Sequence, residues 1–319
     1  MADFDREWLG NVPRPGYGFD DGAQIGLRRL EERGNGDLGD VWLWSNRIAA
    51  ALPQLREQLS GIPFVSRIAA GFIEELDGAF GVIVYAEVPD NEGFVQDPDD
   101  VGRSRFSMSV DDVSLPVVVR YTVLEEHWRT APHVTAPTQA RASCWVKSHS
   151  RHREGWLVPR HAVDPISARV AFDDGGTGRV IDAYGGCIDA VVVSSTMPPP
   201  ARAPSRASWP VVAGQPLVLS ASRGHHINVT VVDTDMNLGV LGSILFPVRF
   251  SIDWTGLPGD SGAFIVDDTL REPAGMYLGV LRPILEGYVP PGLQSAPPAT
   301  GYAQTCHQLE TASGLEFYP

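Results

Sequence analysis

A serine, a histidine and an aspartate stand in settings suited to acyl-transfer chemistry. Ser261 lies in Leu257–Val266, LPGDSGAFIV, between Gly-Asp and Gly and just ahead of an apolar run. A nucleophilic serine needs a tight turn that presents its Oγ. It also needs backbone N–H groups converging on one point, to hold the oxyanion of a tetrahedral intermediate. Gly259 and Gly262 permit such a turn, because glycine tolerates positive φ and close approach. The N–H groups of Gly259 and Ser261 would form the oxyanion hole. The same letters are also ordinary turn chemistry between two strands. His161 closes a short apolar strand in GWLVPRHAV, with a rigid strand end behind it. A surface histidine after a strand is the plainer alternative. Asp189 enters an apolar strand in CIDAVVVS, where a carboxylate needs a partner to offset desolvation. The Nδ1–H of a nearby histidine would be that partner; an edge-strand aspartate facing water is the alternative. Asp182, in VIDAYGG, competes for the role from more turn-like surroundings.

Positioning these groups calls for strands. From residue 138 onward, short β-rich runs alternate with Gly, Pro, Asp and Ser clusters, among them SCWVK, GWLVP, RVAF, CIDAVVVSS, QPLVLSAS, INVTVV, GVLGSILFPVRF, GAFIV and GMYLGVL. Many short strands at close spacing predict an all-β barrel or sandwich. Near the end, Gly301–Gly314 reads as a terminal helix. Residues 1–40 show no period and read as an arm or irregular cap. Residues 41–59 place Val41, Trp44, Ile48, Leu52, Leu55 and Leu59 on one helical face, with Asp40 as the cap and Pro53 as a kink or break. Gly81–Val88 and Val117–Val123 read as strands, the first apolar on both faces. The expected organisation is an N-terminal α/β (or α+β) domain over 1–135, with APHVTAP as linker, then a mainly β domain over 136–319.

Of the 319 residues, 43% are hydrophobic and 20% charged, enough for an ordinary core. The net charge of −14 repels phosphate backbones, so nucleic acid is not an expected partner. No run reaches the ~18 consecutive apolar residues of a membrane span. The start, MADFDREWLG, has neither a basic nor an apolar leader segment, so it does not read as a secretory signal, and the sparse cysteines make a reducing cytoplasm the simplest expected setting. Cys144, Cys187 and Cys306 are few, odd in number and not in CxxC pairs, which predicts free thiols and no zinc site.

The order His161, Asp189, Ser261 and the blocks WLVPRHAV, IDAVVV and GDSGAF resemble the chymotrypsin/trypsin-like serine peptidases, in particular their compact bacterial and viral members. The resemblance covers roughly residues 140–285. It implies a double β-barrel over 138–285, with His161 and Asp189 on the first barrel and Ser261 on the second. It also implies peptide-bond hydrolysis through an acyl-enzyme, needing no metal or organic cofactor. By the same resemblance Thr255 is the base of the substrate pocket, and Gly275, Tyr277 and Leu278 lie in its wall. Thr255 is not acidic, so a preference for Lys or Arg is not expected. The chain departs from the family at Pro159 and Arg160 before the histidine, at Ala263 after the serine and at Leu278, where a serine is usual. No IVGG-like activation site is present, so activity is expected without that step or through a protein partner docking the N-terminal domain. Two other readings compete: a protease-like binding module that no longer cuts, and a partner-activated effector protease of a bacterial stress or defence system. His225 and His226 could line a pocket, or simply occupy an exposed turn.

Overall fold

In a computed structural model of the chain, the residues described are 21–88, 104–126, 141–148, 152–163, 169–172, 176–184, 188–196, 201, 203–220, 225–236, 239–241, 244–246, 248–269 and 271–319. The N-terminal part holds helices α1 (Asp21–Glu32) and α2 (Gly39–Gln58), then strands β1 (Val65–Ile73), β2 (Ala79–Glu87), β3 (Arg105–Val110) and β4 (Val113–Glu126). The predicted apolar face of α2 is buried at Val41, Trp44, Ile48, Leu52 and Leu55, and Leu59 follows it in the C-cap turn. Pro53 neither breaks nor splits the helix. Asp40 does not cap it; it sits in the first turn, where its charge suits the helix dipole. α1 falls where an irregular arm was expected. Its glycines hide the helical signal but serve a contact. A Cβ on Gly26 would lie 2.4 Å from the Trp42 indole nitrogen, so only glycine lets the two helices approach this closely.

Two β units follow. The first combines β5 (Trp145–Ser148), β6 (Arg153–Val158), β7 (Arg169–Ala171), β8 (Thr177–Ala183), β9 (Val191–Val193) and the C-terminal β18 (Leu315–Tyr318), in the order β18-β5-β6-β9-β8-β7. The second contains β10 (Pro216–Ser220), β11 (His226–Asp235), β14 (Arg249–Ile252), β15 (Phe264–Asp267), β16 (Glu272–Pro283) and β17 (Thr300–Thr305). Their order β10-β15-β16-β17-β14-β11 closes through a β10–β11 ladder. A separate hairpin pairs β12 (Gly239–Leu241) with β13 (Ile244–Phe246). The expected mainly β architecture with a C-terminal helix is therefore present. That helix, α3, is shorter than expected, at Cys306–Ser313. The preceding Thr300–Thr305 is spent on β17, and Gly314 in the left-handed region ends the helix.

The boundary expected at 135/136 is crossed by two ladders. β1 pairs with β11 through Ala69↔Asp235 to Gly71↔Asp233, and β4 pairs with β16 through Gly279↔Glu126 to Pro283↔Thr122. A second closed ring results, β16-β17-β14-β11-β1-β2-β4 and back to β16, with seven strands. The reason is physical. β11 and β16 are long, and each uses only part of its length in the first ring. The remainder needs hydrogen-bond partners, and β1 and β4 supply them. Residues 21–126 are thus joined to the second β unit by shared strands and are not set apart from it.

The inside of the seven-strand ring carries charge. Arg120 grips Glu75 with two hydrogen bonds of 2.8 and 2.7 Å, and both side chains are buried. Arg120 also donates to the Tyr85 hydroxyl at 3.1 Å, which donates to Asp233 at 2.5 Å. Arg67 pairs with Asp233 and donates to Ser251 at 2.8 Å. Tyr85 on β2 and Asp233 on β11 reach each other past β1, which places these groups in the interior. Burial, then the Asp233 charge, push the Tyr85 hydroxyl up to about 12.

Candidate active site

The site lies where the two β units meet. Their shared core includes Cys144, Val146 and Leu157 from the first, and Met276, Leu278 and Tyr302 from the second. His161 stands in a short 3-10 turn, Arg160–Ala162, directly after β6. Asp189 precedes β9, which pairs with β6 and so brings the two side chains level. Arg160 braces this corner by donating to the Tyr184 carbonyl at 3.1 Å. Ser261 comes from the other unit, in the turn that leads into β15.

The three side chains come within hydrogen-bonding distance of one another in turn. Asp189 receives the His161 backbone N–H on Oδ1 at 3.0 Å and hydrogen-bonds His161 Nδ1 with Oδ2. On the opposite side of the ring, His161 Nε2 is 2.7 Å from Ser261 Oγ. Burial raises the Asp189 carboxyl pKa, but the His161 hydrogen bonds and charge outweigh it and hold the group below its ordinary value. Asp182 is not part of this arrangement: it accepts from the Tyr184 hydroxyl and the Ala183 N–H.

The turn before β15 is shaped by two glycines. Gly259 has φ of +99° and Gly262 +93°. A Cβ on Gly262 would fall 2.0 Å from the Arg141 carbonyl oxygen. Asp260 is buried and pins the turn, accepting from Leu257 N–H at 2.8 Å while its own N–H donates to the Leu257 carbonyl at 2.9 Å. The N–H groups of Gly259 and Ser261 donate to no acceptor among the described residues. That is the condition an oxyanion hole requires.

Three features of the site carry no signal in the sequence. Ser261 is 0% exposed. Its Oγ lies 2.7 Å from the Leu278 carbonyl as well as 2.7 Å from Nε2, and its single proton serves one acceptor at a time. Gln304, fully buried, accepts the Asp189 N–H on its amide oxygen at 3.3 Å. No short motif marks Gln304, since its role depends on the long-range β14–β17 ladder.

The expected pocket wall needs correction. Tyr277 is fully buried in the core of the six-strand ring, tilted on Trp254 at 5.3 Å, and its hydroxyl accepts from Gly256 N–H at 2.8 Å. Gly275 backs onto the Phe250 ring, where a Cβ would sit at 2.7 Å. Both pack the core. Leu278 reaches the serine through its carbonyl, while Thr255 is exposed. His225 and His226 are exposed as well, with His226 3.4 Å from the Ser220 hydroxyl.

The fold is similar to that of chymotrypsin-fold serine proteases. A Nocardiopsis protease matches at 13% identity and a TM-score of 0.39, over 57% of this chain and 92% of that one. Thermobifida fusca protease A matches at 14% and 0.39, over 57% and 90%. Cellulomonas bogoriensis chymotrypsin matches at 14% and 0.35, over 55% and 96%. No family model and no curated protein matches. The contacts among His161, Asp189 and Ser261 are this chain's own.

Proposed function

We propose that the protein is a serine endopeptidase working through an acyl-enzyme, with Ser261 as nucleophile, His161 as general base and Asp189 as the group that orients the histidine. The observation that carries this reading is the continuous contact Asp189–His161–Ser261, assembled from two β units and flanked by two unused N–H groups. In the reaction, Ser261 Oγ attacks the peptide carbonyl and Nε2 takes its proton. The oxygen becomes an oxyanion facing the N–H groups of Gly259 and Ser261. As the tetrahedral intermediate collapses, His161 returns the proton to the departing amine. Water, deprotonated by the same Nε2, then releases the acyl group and restores the serine. Asp189 fixes the Nδ1–H tautomer and offsets the imidazolium charge.

The burial of Ser261 favours one companion reading, a protease switched on by a protein partner that opens the site. A peptide or protein substrate and a cytoplasmic setting belong to the same proposal. The test is cleavage of a reporter peptide library, with and without candidate partners, by wild type and Ser261→Ala. Turnover that Ser261→Ala abolishes supports the reading. Equal turnover by both, with the fold intact, ends it.

A further inference from the structure

We propose that the end of β4 is a resident stand-in for substrate, holding the strand edge beside Ser261 and keeping the enzyme shut until it leaves. This rests on the endopeptidase reading and specifies how that site is regulated. Gly279, Val280 and Leu281 of β16 face Tyr302, Gly301 and Thr300 of β17, and also Glu126, Glu125 and Leu124 of β4. A strand has two edges, so β4 lies on the edge opposite β17. That is the edge β15 uses earlier along β16, through Phe264↔Met276 and Ile265↔Gly275. Ser261 sits on it too: Gly262 N–H donates to the Tyr277 carbonyl at 2.7 Å and Ser261 Oγ to the Leu278 carbonyl at 2.7 Å. An extended peptide docks by adding a strand to an available edge. Beyond Leu278, the edge nearest the nucleophile is taken by this chain's own backbone.

The direction fits as well. An acyl-enzyme keeps the residues N-terminal to the cut bond, so those residues must run toward Ser261. β4 is antiparallel to β16, with Thr122 opposite Pro283 and Glu126 opposite Gly279. Glu126 thus ends one residue, about 3.3 Å, short of the level of Leu278. The alternation is fixed by two bonds. The Thr122 carbonyl accepts from Val88 N–H at 3.0 Å, on the β2 side, and the Tyr121 carbonyl accepts from Ile284 N–H at 3.0 Å, on the β16 side. Neighbouring residues alternate, so Val123 and Glu125 turn their backbone groups to β16. The β2 ladder ends at Glu87↔Thr122, which leaves the last residues of β4 able to peel away while the rest stays anchored. The full burial of Ser261 agrees with an occupied edge.

The test measures the rate at which a small fluorophosphonate labels the full chain, comparing wild type, Glu125→Pro and Glu126→Pro, with Ser261→Ala as blank. Proline at 125 removes an N–H aimed at β16; proline at 126 removes one aimed away. Glu125→Pro should label on the order of tenfold faster than wild type, the scale set by losing one or two ladder hydrogen bonds. Glu126→Pro should keep the wild-type rate. Equal labelling of all three overturns the proposal and leaves the endopeptidase reading standing, and equal acceleration by both prolines overturns the register. Absence of labelling in all three, with circular dichroism unchanged, overturns both readings. Should Glu125→Pro fail to fold, hydrogen exchange on wild type decides. A tetrapeptidyl phosphonate should strip protection from the Val123 and Glu125 amides where a single-residue phosphonate does not. Protection that survives complete labelling by the long probe overturns the proposal.

Discussion

At the scale of single residues, the proposed triad would act as one unit, and its losses should not add. Ser261→Ala and His161→Ala should each remove nearly all triad-dependent kcat, and the double variant little more, read with a reporter peptide. Asp189→Asn should keep the fold and lower kcat by roughly 10⁴, through the wrong histidine tautomer. Asp189 also links stability to pH. Its folded-state pKa is depressed, so its contribution is present above the unfolded value of about 3.9 and is lost as pH falls through the lower folded value. The gap in urea midpoint between wild type and Asp189→Asn should therefore be widest near neutrality and close in acid. Cys144 and Cys306 are free and buried, and burial pushes both thiols well above their ordinary range. Neither should react with iodoacetamide in the native protein, and both should in denaturant. The third, Cys187, lies outside the described residues.

At the scale of elements, the turn before β15 should tolerate little. Gly259→Ala meets no neighbour but holds an unfavourable φ, costing about 1–2 kcal/mol. Gly262→Ala adds a collision with the Arg141 carbonyl and should cost more, as chemical denaturation would measure. This turn was legible in the sequence because its signal is local: glycines at the strained positions and an apolar strand directly after. His161 and Asp189 were legible for the same reason, the one just after a short apolar run and the other just before one. The pocket wall was not. A register shift between Tyr277 and Gly279 resets the alternation along β16, sending the Tyr277 ring into the core and the Leu278 carbonyl to the serine. β17 is not legible as a strand because its six residues, all paired with β16 and four of them with β14 as well, carry no strong period of their own.

At the scale of the whole molecule, the sequence gives the composition of each strand but not which distant strand it meets. The β1–β11 and β4–β16 ladders are of that kind, and so is the charge network they enclose. Glu75→Gln leaves the Arg120 charge buried without its partner, which should cost about 3–5 kcal/mol of unfolding free energy. Replacing both with leucine should recover much of the loss, as urea unfolding of the single and double variants would show.

Because β16, β17, β14 and β11 belong to both rings, the covalent chain is not what keeps the halves together. A single scission anywhere between residues 126 and 141 would leave β1 laddered to β11 and β4 to β16. The two pieces should travel as one species in gel filtration under native conditions and separate only in denaturant. A nick there would register on a gel long before it registered as a change in mass in solution.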